Sequence, residues 1–384
     1  MRILFDARGI QPRCDGLSHY VRHILMNLLR LDAINEYLIL MGPRLHGELE
    51  REGWLSRPNV QAVITSIPFM GIAQQIQLPR LARRLPHASL YHYPHFDMPY
   101  AVHPRSIVTI YDVNHISFDG YFHSHRRLKR LYSIWATRFS AARSRHVITI
   151  SNATNSELLK RFPSLDARKI SVIYPALHER FQTRPGEAAV RAFREKFRLG
   201  NDRFVLYVGT DRPHKNLERL LEAYARLRRQ SGVAHKLLLV GSSTDDGTLE
   251  HRIRAHELKD SAVRLGYLSE EELPLAYCVA DAFMFCSLSE GFGMPLLEAM
   301  AFGLPIVTSN IGAMMEVAAD SALLVDPFSS HAIADGLHRL LSSEPLRREC
   351  ATRGLERVKA FAWEAAARKT LEIYTAVAAG EGVV

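Results

Sequence analysis

The sequence predicts an α/β protein of two doubly wound, Rossmann-like domains facing a central cleft. Three observations carry that prediction. The chain has 384 residues, more than one ordinary core accommodates. Short aliphatic runs alternate with segments of helical period, the pattern of parallel α/β construction. That rhythm loosens once, near residues 175–200, and then starts again.

"RILFDA" opens the chain as a buried strand, followed by a loop through Gly9, Pro12 and Gly16. In "SHYVRHILMNLLRLD" the spacing of Tyr20, Ile24, Leu28 and Leu31 predicts a helix, with Ser18 as its N-cap. "YLILMG" and "VQAVIT" read as the next strands, then a helix near 73–84, then the strand "SLYHY". "SIVTIYD" and "HVITIS" are further strands, "NATNSELLKRF" a helix and "KISVIYPA" a strand. The segment with Pro175, Pro185 and Gly186 reads as a linker and entry helix. The second series runs "RFVLYVG", "NLERLLEAYARLRRQ", "HKLLLVG", "TLEHRIRAHELK", "AVRLGYL", "SEEELPLAYCVA", "AFMFCS" and "LPIVTS". Domains are therefore expected at 1–178 and 179–360, with 361–384 a final helix.

Composition excludes several classes. Apolar residues make up 47% and charged residues 23%, ordinary for a globular protein. There is no apolar run of the roughly 18 residues that cross a bilayer, and "MRILFDARGIQPRCDG" lacks a secretory leader's apolar centre. The cysteines, Cys14, Cys278, Cys286 and Cys350, are scattered without metal-ligand spacing. The expectation is a reduced, cytoplasmic protein with no structural metal. Charge is divided unevenly: residues 1–180 carry a net +11 and the remainder −2. A basic first half fits an anionic partner, either nucleic acid or the inner face of a membrane. No nucleic-acid motif or aromatic stacking pattern accompanies the charge, so no nucleic-acid partner is expected.

The densest chemical signal is "SEGFGMPLLE". Glu290 and Glu298 bracket Gly291, Phe292, Gly293 and Met294 between a strand and a helix starting near Pro295. Glycines let backbone N–H groups approach an anion, and a helix N-terminus favours negative charge there. A pyrophosphate suits that position, and a carboxylate accepts well from the vicinal hydroxyls of a sugar or ribose. Glu298 is expected in the first helical turn, where a glutamate also arises simply to complement the dipole, and one glycine-rich turn alone is weak evidence.

The string Glu-Gly-Phe-Gly-x-Pro-x-x-Glu resembles the E-x7-E motif of the retaining glycosyltransferases of family 4, the group 1 transferases, which have the GT-B architecture. "YVGTDRPHKN", "VRLGYLSEEELPLAYCVADAF" and "VIYPALHERF" are similar to other family segments, and "FAWEAAARKTLEIYTAVA" to a final helix crossing back to the first domain. The resemblance implies a sugar-nucleotide donor and no metal or other cofactor. It gives Glu290 the transferred sugar and Glu298 the ribose. Lys215, six residues after Gly209, takes the diphosphate. A cation there stabilises the charge that builds as the glycosidic bond breaks. The family's arginine after the glycine is here Thr210, with Arg212 two residues further on. Gly16 resembles the first-domain glycine beside the donor phosphate, and Gly266 and Tyr267 lie in the nucleobase segment. Where the family has His-Asp, this chain has Tyr111 and Asp112, with His115 following.

Arg126, Arg127, Lys129 and Arg130 in "HSHRRLKRLY" interleave with Leu128 and Leu131, an amphipathic basic helix suited to a membrane or a lipid-diphosphate-linked acceptor. The segment 121–156 resembles mannosyltransferase-type members, which favours GDP-mannose over a UDP-sugar as donor. A phosphorylase or epimerase of the same fold, or a binding protein keeping only the fold, are the alternatives. The first needs a pyridoxal-phosphate lysine motif that is not recognisable here. The intact Glu290, Glu298 and Lys215 weigh against the last.

Overall fold

The computed structural model describes residues 1–11, 16–101, 103–118, 126–241 and 247–381, with Arg126 described in its backbone only. Cys14 and the "HSH" before Arg126 lie outside that range. The chain divides into two compact units, residues 1–175 with 362–384, and residues 176–361.

The first unit holds a parallel seven-stranded sheet made of β1 (Arg2–Asp6), β2 (Glu36–Met41), β3 (Val60–Ile64), β4 (Leu90–Tyr93), β5 (Ser106–Ile110), β6 (His146–Thr149) and β7 (Ile170–Val172), in the order β3-β2-β1-β4-β5-β6-β7. Strands such as β5, buried throughout, need apolar residues on both faces, which is why they read as unbroken runs. The order reverses between β1 and β4, so the loops leaving these two strands diverge and open a crevice. Asp6 and Arg8 fasten the first loop as a buried ion pair at 2.6 Å. Arg8 also donates to the Ile67 and Pro68 carbonyls and to Gln74 Oε1. Ser18 is not the N-cap expected of it. It lies inside the helix Gly16–Leu31, donating to the Gly9 carbonyl and accepting from the Gln11 N–H. The helix Trp363–Ala379 packs on that helix and is bolted to the sheet by His92 Nδ1 and the Tyr374 hydroxyl, 2.6 Å apart.

The second unit is a parallel six-stranded sheet of β8 (Phe204–Val208), β9 (Lys236–Val240), β10 (Ala262–Gly266), β11 (Ala282–Phe285), β12 (Ile306–Ser309) and β13 (Leu323–Val325), ordered β10-β9-β8-β11-β12-β13. Its reversal falls between β8 and β11. The segments after these strands contain, respectively, Gly209 to Lys215 and Ser287 to Gly293. Two chain segments far apart in sequence are thus brought together at the carboxyl ends of adjacent strands. Both units are Rossmann-like, and the two-domain α/β architecture expected from the sequence is the one observed.

Candidate active site

After β8 the backbone passes Gly209, where a Cβ would lie 2.8 Å from the Tyr207 hydroxyl oxygen. That hydroxyl donates to the Thr210 carbonyl at 2.9 Å and sets the course of the loop. Gly241, which sequence reasoning passed over, has φ +89° and packs against the Gly209 backbone. Its N–H donates to Gly266 at 2.7 Å, so glycines at the ends of three neighbouring strands keep this rim low. Gly209→Ala is expected to cost about 1–3 kcal/mol of stability through overpacking against Tyr207, checked by urea unfolding.

A short 3₁₀ turn, Pro213–Lys215, follows, and Asn216 closes it in the left-handed conformation (φ +60°). Asn216 Nδ2 donates to the Cys286 and Pro327 carbonyls at 2.9 and 2.8 Å, and the Leu288 N–H donates to the His214 carbonyl at 2.7 Å. These bonds stitch the two loops together. As a result Lys215 Nζ sits 2.8 Å from one Glu290 oxygen and 3.0 Å from the other, and 5.3 Å over the Phe285 ring. Arg212 stands on the exposed lip of the same turn.

Gly293 has φ +98° and caps the helix Met294–Ala301, which has Pro295 in its first turn. The Phe292 ring is buried and meets Phe361 edge-on at 5.4 Å, so only its backbone is placed for a ligand. Glu298 lies on the helix's second turn rather than its first, where dipole complementarity has largely faded. A buried residue that the sequence did not flag, Tyr277, donates its hydroxyl to Glu298 Oε2 at 2.6 Å. Burial raises the Glu298 carboxyl above the usual carboxylate range, opposed by the Tyr277 hydrogen bond and by the cations Arg180 and Lys215. Gly266 ends β10 with φ +68°, and the Tyr267 ring after it is largely exposed.

The first unit's candidates resolve differently. Gly16 starts its helix with open space where a Cβ would stand. Tyr111 packs edge-on against Tyr20 and donates to the Pro94 carbonyl at 2.9 Å. Asp112 accepts from the Asn114 N–H at 2.8 Å and lies 3.7 Å from His115 Nδ1. His115 is itself buried, stacked on Phe96 and 3.2 Å from the Thr137 hydroxyl. A second histidine, His95, was missed by the sequence reading. Burial, reinforced by His115, lowers it to about 3. Of the basic cluster, Arg127 and Lys129 are exposed, whereas Arg130 turns partly inward to donate to the Ile116 carbonyl at 3.2 Å. A cavity of about 390 Å³ opens at the carboxyl ends of β1 to β3, lined in part by Gln11, Arg44, Glu48, Thr65 and Phe69.

The second unit thus offers a cation beside a helix N-terminus, with a carboxylate on either side of a glycine turn. That arrangement can cradle a diphosphate and hold hydroxyls flanking it, the chemistry of a transferase that uses an activated sugar. The chain belongs to the group 1 glycosyltransferases. Residues 190–357 match the family model described as glycosyl transferases group 1, and residues 15–180 that described as glycosyltransferase family 4. It is similar to O-antigen chain mannosyltransferase B of Escherichia coli, with 26% identity over 97% of this chain and 99% of that protein. It also resembles the O-antigen chain mannosyltransferase RfbU of Salmonella typhimurium, at 28% identity over 57% of this chain and 56% of that one. Among solved structures, Anabaena HepE in complex with UDP and glucose superimposes with a TM-score of 0.74. That match has 17% identity and covers 98% of this chain and all of HepE, so it bears on the fold alone.

Proposed function

We propose that the protein transfers mannose from GDP-mannose, with retention of anomeric configuration, to a glycan or lipid-diphosphate-linked acceptor in surface polysaccharide synthesis. The observation that carries this reading is the Lys215–Glu290 contact beside the Met294 helix N-terminus. The mannosyl donor is supported by the O-antigen mannosyltransferases that the chain resembles. Lys215 and the backbone N–H groups of residues 291–294 hold the diphosphate and stabilise it as it departs. Glu290 releases Lys215 to the phosphate and accepts from the mannosyl hydroxyls, while Glu298, oriented by Tyr277, accepts from the ribose. The acceptor hydroxyl attacks on the face the diphosphate leaves, and a diphosphate oxygen takes its proton. The first unit receives the acceptor, with Asp112 beside the reacting end and distal sugars in the cavity near Phe69. Arg127 and Lys129 contact an anionic membrane. No helix among the described residues is long and apolar enough to cross one. Charge neutralisation is assigned to Lys215 and the helix, with no metal, so chelator should leave the rate unchanged.

Calorimetric titration with GDP, UDP and ADP tests the donor assignment. GDP should bind most tightly, and preference for UDP would replace the donor. Failure of all three to bind folded protein would remove the roles of Lys215 and Glu298. The NMR anomeric coupling of the product tests retention, and an inverted linkage would end that part of the proposal. Because the Glu298 pKa is raised, its carboxylate form is lost at a higher pH than for an ordinary glutamate. Nucleotide affinity should therefore weaken as pH falls through that raised value, and Glu298→Gln should flatten this limb when titrations are repeated across pH.

A further inference from the structure

Two helices of the first unit display large apolar side chains outward. On the helix Ile72–Ala82, Ile72 and Ile76 are separated by one turn, and Ile72 is 73% exposed. On the helix Arg126–Arg143, Leu128, Leu131 and Trp135 follow one stripe, with Leu128 71% and Leu131 63% exposed. Between the helices lies Tyr100, also exposed, its ring edge-on to Trp135 at 4.3 Å.

A buried carboxylate fixes the two stripes side by side. Asp97 accepts from the Gly71 N–H at 2.9 Å and Gln75 Nε2 at 2.8 Å on one helix, and from the Tyr132 hydroxyl at 2.7 Å on the other. Gln75 also accepts from the Tyr100 N–H at 3.0 Å. Each polar anchor is sequence neighbour to an exposed apolar residue: Gln75 to Ile76, and Tyr132 to Leu131. The apolar display is therefore held in place from beneath rather than left by loose packing.

The two helices carry charge of one sign. No acidic residue occurs between Glu52 and Asp97, and none occurs in the helix Arg126–Arg143. Arg80, Arg83, Arg84, Arg127, Lys129 and Arg138 are exposed on or next to the two helices. Exposed aliphatic side chains, a tryptophan and a tyrosine, and a surplus of exposed cations match a bilayer interface of anionic lipid.

We propose that the outer faces of the Ile72 and Arg126 helices form one platform that inserts its apolar side chains into an anionic lipid leaflet. This deepens the membrane contact proposed above and depends on that reading only for placing a lipid-linked acceptor. Insertion distinguishes the platform from a basic patch that only rests on head groups.

The test is flotation of the full chain, without donor, on vesicles of phosphatidylethanolamine with phosphatidylglycerol and on phosphatidylcholine alone. The anionic vesicles should bind it, and lipids brominated in the acyl chains should quench its fluorescence, an effect lost in Trp135→Phe. Ile72→Ser with Leu131→Ser should lower the partition coefficient at least tenfold, as should Arg127→Glu with Lys129→Glu. The serine pair should retain transfer to a water-soluble acceptor, so the platform can fail while the catalytic reading stands. Three results would overturn the proposal: no binding to any vesicle, unchanged binding by the serine pair with full release by salt, or conversion of a lipid-free dimer to monomer by the serine pair. The last would make the face a contact between copies of the chain.

Discussion

Replacement of Lys215 by alanine is expected to lower kcat/KM by about a hundred- to a thousandfold, the loss typical when one preorganised group facing developing charge is removed. Lys215 is the cation held at 2.8 Å from Glu290 beside the glycine turn. The same substitution strands a carboxylate that is only 11% exposed. Removing one partner of a fully buried pair costs about 3–5 kcal/mol, and partial access to water places this pair toward the lower end. Activity and stability can be separated with a second change. In Lys215→Ala/Glu290→Gln the stranded charge is gone, so urea unfolding should return toward the parent value while kcat/KM stays low. Recovery of both together would make Lys215 a purely structural residue.

A larger loss of stability is expected from Asp6→Ala. The Asp6 and Arg8 side chains are 5% and 3% exposed, and the guanidinium meets the carboxylate at two points, 2.6 and 2.9 Å. Without Asp6 the arginine keeps its bonds to Ile67, Pro68 and Gln74 but loses the carboxylate that pairs with it directly. The expected cost is about 3–5 kcal/mol. Asp6→Ala/Arg8→Met should recover part of it by replacing an ion with a side chain of similar reach. Urea midpoints of the two variants check the prediction, and equal midpoints would show that the loss comes from the vacant space rather than the unpaired charge.

Much of the fold was legible because parallel strands covered on both faces must be continuously apolar. β1 to β12 were all read as strands, although β3, β7 and β10 are only partly covered and carry Gln61, Ser171 and Arg264. β13 was missed: it shares the length and edge position of β7, but Asp326 and Pro327 follow it at once, whereas β7 runs on through Ile173 and Tyr174. The glycine turn and the two glutamates stand out through local spacing, and Lys215 is picked out only by the family resemblance. Tyr277, Asn216 and Asp97 were not, because their roles lie in bonds to residues 21 or more positions away. Phe292 shows the reverse limit: the sequence places it in the turn but cannot say that its ring points into the core. Arg130, likewise, reads as one more surface cation until its bond to Ile116 is seen.

The first unit is assembled from the two extremes of the chain, and His92 in β4 bonds Tyr374 in the last long helix across 282 positions. During synthesis the ribosome therefore releases the whole of the second unit before it delivers the piece that closes the first. The domain begun earliest is completed last, and until then the sheet face meant for that helix is left uncovered. A released chain ending at residue 361 should hold a finished second unit and a first unit that lacks its closing helix, which proteolysis would attack first.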